Sequence, residues 1–201
     1  MPFQKTHDIM LTTLMTGENA VEEHINIEEK VFDRLILSGM EELQTHGYTD
    51  FSLRRAAQRA QVSCAAPYRH FKDKEAYIEA IVQYVYAKWE LLAGQIEQIF
   101  ESDAKLCAIE LCIASLRFRM GNPQVSSVLS LPMAEAYSLD AVACRAIETL
   151  ARNRGWETAL TQRKLFVVRA LVAGALSQLG DYGAEEILSL VREELSLLLS
   201  D

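Results

Sequence analysis

The sequence predicts an all-α chain, a three-helix helix-turn-helix head followed by a larger helical body, and three observations predict it. Apolar residues recur at helical spacing through long segments, while alternating strand patterns are nearly absent. Breakers are scarce, with 9 Gly and 4 Pro in 201 residues, and they fall between the periodic segments at Gly47, Asn122-Pro123, Pro132, Gly155 and Gly180 to Gly183. Residues 51–74, FSLRRAAQRAQVSCAAPYRHFKDK, read as two short helices about a tight turn.

In order, helices are expected near 28–46, 53–60, 64–70, 74–100, 104–120, 124–136, 139–153, 158–179 and 184–199. This divides the chain into an N-terminal extension (1–27), a helix-turn-helix head (28–75) and a helical body (76–201). Within the extension, the stretch from His7 to Met15 is too short and poorly flanked for a signal peptide or membrane span. The helix from Lys74 runs out of the head into the body, so no flexible linker is expected between them.

Local chemistry supports the two short helices. Ser52 stands where an N-cap is wanted before Leu53, Ser63 caps the second helix, and Asp73 caps the one after it, with Glu75 in its first turn. Ala56, Ala57 and Ala60 give the first helix a small face for close crossing. Pro67 falls near the start of the second, where a missing amide is tolerated.

Charge sets this segment apart. Between 52 and 74, Arg54, Arg55, Arg59, Arg69, Lys72 and Lys74 oppose Asp73 alone, a local charge of +5. The chain's formal net charge is −8, so the rest carries −13. A basic island suits phosphate attraction, and the acidic remainder limits nonspecific sticking.

The residues Gly47-Tyr48, Ser52-Leu53-Arg54, Ala60-Gln61-Val62-Ser63, Tyr68-Arg69-His70-Phe71 and Lys74 together resemble the N-terminal DNA-binding domain of TetR-type transcriptional regulators, over roughly 28–80. The resemblance implies an all-helical fold with a DNA head and a ligand-binding, dimerising body. It implies phosphate contacts from Ser52, Tyr68, His70 and Lys74. Cys64, Ala65 and Ala66 would face the groove, with Arg54, Arg55 or Arg69 adding backbone or base contacts. Ser63 and Pro67 complete the DNA-binding set. Two positions depart from the family: Gln61 replaces the usual turn Gly, and Pro67 replaces a Leu-, Ile- or Thr-like residue. Taken singly, Tyr68 and Phe71 suit a core, His70 a surface or core, and Arg54 and Arg55 a solvated face.

The body suggests self-association. Leu165 to Leu176 is apolar on nearly every side of a helix, which calls for burial all round. Ala170, Gly174 and Ser177 form a small-residue stripe that admits a close neighbour. Ile187, Leu188, Val191, Leu195 and Leu198 form a second stripe, and Leu190, Leu197 and Leu199 spill onto a further face. The expected interface of a homodimer is Ala170, Gly174, Ser177, Val191, Leu195 and Leu198; a compact monomer burying both helices is the alternative. For an apolar small-molecule effector, the candidates are Trp89, Phe118, Met120, Met133, Tyr137, Trp156 and Phe166, with Arg117 and Arg169 as anion partners. The same residues serve equally as plain core.

Enzymatic readings find no footing. No Gly-rich phosphate loop, nucleophile elbow or metal-ligand spacing occurs, so no catalytic residue, metal or cofactor is expected. Glu28-Glu29, Glu41-Glu42 and Glu193-Glu194 read as solvated faces. Cys64, Cys107, Cys112 and Cys144 form no paired motif, which suits the cytoplasm. Cys64, at a helix start beside basic residues, has the setting of a lowered thiol pKa, although a plain small residue explains it too. The expected function is a homodimeric regulator binding a palindromic double-stranded DNA operator and released by an effector. The alternative is an all-helical dimeric small-molecule or protein-binding module whose head has decayed.

Overall fold

The computed structural model describes residues 27–129, 131, 134 and 138–200, and every regular element among them is helical. The helices are α1 (Ile27–His46), α2 (Leu53–Arg59), α3 (Pro67–His70), α4 (Lys74–Ile99), α5 (Ala104–Gly121), α6 (Pro123–Leu129), α7 (Asp140–Arg154), α8 (Thr158–Ser177) and α9 (Ala184–Leu198). Residues 1–26 of the extension, and Pro132, Met133 and Tyr137, lie outside the described residues.

Most boundaries follow from local chemistry. The Asp73 carboxylate accepts the Ala76 amide at 2.8 Å, the Asp103 carboxylate accepts that of Leu106 at 2.9 Å, and the Ser52 hydroxyl accepts that of Arg55 at 3.4 Å. Gly155, left-handed at φ 68°, ends α7 in a Schellman turn, with Trp156 N–H donating to Ala151 O and Gly155 N–H to Arg152 O. α2 ends in the same way, from Val62 N–H to Ala57 O and Gln61 N–H to Gln58 O, but its left-handed residue is Gln61, at φ 56°.

A side chain at that conformation is strained by roughly 1 kcal/mol. Gln61→Gly is therefore expected to raise Tm by about 2–4 °C. A thermal melt that shows no rise would mean the turn already accommodates Gln61 without strain.

Two expected elements are corrected. The helix expected over 64–70 begins only at Pro67, and Ser63 instead accepts the Ala66 amide through its carbonyl in the preceding turn. Proline at the first helical position sets that start, because its fixed φ favours helix entry there. The helix expected over 124–136 ends at Leu129.

α4 is the spine. Tyr77, Ile78, Ile81, Val82, Val85, Trp89, Leu92, Ala93 and Ile96 are buried along it, and head and body share it. In the head, Phe71 stacks on Tyr77 at 4.1 Å between centroids and Phe51 meets the same ring edge-on at 5.3 Å. The Tyr77 hydroxyl donates to Leu35 O on α1; burial, then the nearby Glu42 carboxylate, raise its pKa. Gly39 lets α1 lie against α4, since a Cβ there would stand 2.6 Å from Ile81 Cδ1 and 3.1 Å from the Tyr77 ring.

In the body, α5 is buried from Cys107 to Leu116 and packs closely on α7. α9 packs on α5 and α8, and the buried Glu110 on α5 accepts both terminal nitrogens of Arg192 on α9. The short α6 touches α1, α4 and α5 at once, joining head to body beside the α4 spine.

Glu42 is a correction of a different kind. Expected on a solvated face, it is fully buried between α1 and α2. Its carboxylate accepts Arg55 Nε at 2.6 Å and the Ser52 amide at 3.3 Å. Arg59 and His46 stand 3.6 and 3.2 Å away. A buried carboxylate needs such partners, and here they tie α2 to α1.

Candidate nucleic-acid interface

The basic island folds into one end of the head. α2, the turn at 61–66 and α3 present Arg54, Ser63, Cys64, Ala65, Tyr68, Arg69 and Lys72 to solvent. Tyr68 is 65% exposed, an unusual state for a large aromatic ring with core available beside it. Arg54 and Arg69 form no ion pair among the described residues. A hydroxyl-tipped ring and unpaired guanidinium groups on a convex surface are suited to phosphate oxygens.

The remaining residues of the expected set serve the scaffold. Ala66 and Pro67 are buried and do not face a groove, a correction that follows from the late start of α3. The Arg55 guanidinium is held by Glu42 and by the Asp50 carbonyl. Ser52 is an N-cap with its hydroxyl and amide engaged. Lys74 Nζ donates to Thr49 O at 3.0 Å and lies 4.8 Å from the centre of the Tyr48 ring. The half-buried His70 ring packs against Phe32 at 6.0 Å. The exposed reading surface is thus Arg54, Ser63, Cys64, Ala65, Tyr68 and Arg69, supported from behind by Glu42, Arg55 and Phe71.

The expected effector residues do not gather in one place. Trp89 and Phe118 do meet, at 5.9 Å between ring centroids where α4 packs on α5, with Met120 half-buried on the same helix. Arg117 faces Glu185 on α9 at 3.5 Å, and Arg169 donates to the Cys144 thiol. Trp156 lies under Lys164, whose ammonium is 4.3 Å from the ring centre and donates to Leu198 O. Phe166 is 72% exposed on the outside of α8 and lines nothing internal, a correction to the expected pocket. Arg119, not singled out in the sequence, reaches Asp140 at the start of α7 at 3.0 Å.

The expected self-association stripes also separate. Ala170, Gly174 and Ser177 are exposed on α8, but Val191 and Leu195 point into the protomer and Leu198 is half-buried. The outward apolar residues of α9 are Leu190 and Leu197, the latter 72% exposed. Between α8 and α9 runs an open apolar groove of about 390 Å³, walled by Ala170, Gly174, Gln178, Tyr182 and Leu190 among others. Of the four free cysteines only Cys64 is exposed, and burial pushes the Cys112 thiol well above its usual pKa. No helix among the described residues is long and apolar enough to cross a membrane.

Residues 35–81 match the model of a family described as bacterial regulatory proteins, tetR family. No curated protein matches the chain. Among solved structures, a linker-substituted mutant of HlyIIR superposes with a TM-score of 0.61 at 12% identity, covering 83% of this chain and 95% of its own. A protein of unknown function from Rhodococcus sp. RHA1 also reaches 0.61, at 18% identity, covering 90% of this chain and 100% of its own. A TetR variant from Acinetobacter baumannii AYE in complex with minocycline reaches 0.43 at 20% identity, covering 83% and 92%.

Proposed function

We propose that this chain, whose residues 35–81 form a tetR-family helix-turn-helix domain, is a cytoplasmic DNA-binding transcription regulator. In this reading it binds a palindromic operator as a homodimer and acts as a repressor released by a small, largely apolar effector. The observation that carries the DNA-binding reading is the bare surface around Tyr68 and Arg69, held out by a fully partnered scaffold. Such a surface has no stabilising role within the protomer. It does suit a duplex backbone.

α3 is only four residues long, so one head offers few contacts, and two half-sites are needed for useful affinity. The outward faces of α8 and α9 supply the pairing surface. Phe166, Leu190 and Leu197 stand in solvent there, and Ala170 and Gly174 permit close approach. Effector binding near Trp89 reaches the head through α4 and α6, both of which touch α1. The effector must favour one head spacing over the other, or nothing shifts.

Selection from random duplex DNA tests the class directly. Enrichment of a palindrome is expected, with loss of binding on adding a metabolite extract; no enrichment would overturn the reading. Phe166→Asp with Leu190→Asp is expected to yield a monomer by sedimentation. The double variant would bind the palindrome at least about 100-fold more weakly, because the second head no longer adds to the first. A dimer that persists in the double variant would move the interface elsewhere.

A further inference from the structure

Trp89 is fully buried on α4, yet its indole N–H has no hydrogen-bond partner. Indole nitrogen is a donor only, and buried Trp side chains usually find an acceptor. The polar side chains nearby on α5 are already committed. Ser115 donates to Cys112 O at 2.9 Å, and Asn122 donates to Phe118 O at 2.9 Å. The body has one other unpartnered buried nitrogen among the described residues, Arg119 Nε, and it too can only donate. Two orphan donors cannot satisfy each other. The core that contains Trp89 lacks an acceptor.

The charge balance narrows what that acceptor is. Arg119 lies one residue beyond Phe118, whose ring packs on Trp89, and its guanidinium is already neutralised by Asp140 at 3.0 Å. Arg117 and Arg169, the other cations first considered, face Glu185 and Cys144. A carboxylate placed beside Trp89 would meet no uncompensated positive charge and would lose its hydration. A neutral oxygen loses less.

Resting on the reading of the body as effector-binding, we infer that the Trp89 site takes a small apolar molecule, aromatic or alicyclic. Its one polar group is a neutral carbonyl oxygen that accepts a hydrogen bond from Trp89 Nε1. The Phe118 ring packs beside the apolar part, and Met120, unbranched and adaptable, fits around it.

The test uses the full chain carrying Trp156→Phe, which leaves Trp89 as the sole tryptophan. Three probes of matched size are titrated: acetophenone, ethylbenzene and benzoate. Acetophenone is expected to bind at least tenfold more tightly than the other two and to move the Trp89 indole N–H resonance downfield. Trp89→Phe, checked for fold by circular dichroism, is expected to bind acetophenone and ethylbenzene equally. Equal binding of ketone and hydrocarbon to the Trp89 protein, or an unmoved indole resonance, overturns the inference and leaves an effector-binding body intact. Preference for benzoate overturns it in favour of an anion site. Binding of none at millimolar concentration also overturns it, and release of operator DNA by metabolite extract then decides separately whether the body binds an effector at all.

Discussion

Replacing Tyr68 and Arg69 together with Ala is expected to weaken duplex binding at least about 100-fold, on operator and random sequence alike, without changing Tm or oligomeric state. The uniformity follows from what these side chains offer. Both stand in solvent on the reading surface, and phosphate contacts position a protein without distinguishing bases. In a dimer the loss is doubled. Removing one guanidinium per head should also lower the slope of log affinity against log salt by about 0.9 for each phosphate no longer neutralised. Stability should hold because the head is fastened elsewhere, through Phe71 on Tyr77 and Glu42 on Arg55. Fluorescence anisotropy across a salt series measures affinity and slope together. An unchanged slope with unchanged affinity would place the DNA contact on another face of the molecule.

The second large effect concerns Gly39→Val. A bare Cβ at this position already comes within 2.6 Å of Ile81 Cδ1 and 3.1 Å of the Tyr77 ring, and valine adds two methyl groups behind it. Both neighbours are fully buried, so neither has free space to retreat into. Overpacking of this kind costs about 2–3 kcal/mol. For a chain of this size that corresponds to a Tm lower by roughly 5–10 °C. Because the clash forces α1 off α4, DNA affinity should fall as well, although no contacting side chain has changed. A variant with wild-type Tm and wild-type operator affinity would show that α1 and α4 are not held this closely.

How far the sequence was legible differs from element to element. The long helices were readable to within a residue or two at most ends, because their signals are local: Asp73, Asp103 and Gly155 act on atoms three to five residues away. The tetR-family domain was readable for the same reason, since its spacings are short and fixed. α3 was placed too early because Ser63 was weighed as a cap, while Pro67, which sets the start, was treated as merely tolerated.

Glu42 was misread because a Glu-Glu pair looks solvated until Arg55 arrives from the next helix, 13 residues on. A signal did exist. Glu42 continues the face of Leu35 and Ser38 at helical spacing, and both are buried. The two stripes of α9 show a harder limit. Periodicity separates Val191 and Leu195 from Leu190 and Leu197, but nothing local says which stripe turns inward; packing on α5 and α8 decides it. The expected effector set fared worst for a related reason. Residue type marks Trp89 and Phe166 alike as large and apolar, whereas only the tertiary arrangement puts one in the core and the other in solvent.

The uneven spread of charge along this molecule has a kinetic consequence. With +5 concentrated in 52–74 and −13 elsewhere, the chain carries a large permanent electric asymmetry. In the field of a polyanion such a body feels a torque as well as a pull, and it turns its cationic pole forward before contact. Productive collisions should therefore outnumber what random tumbling allows, and added electrolyte should slow arrival as well as hasten departure.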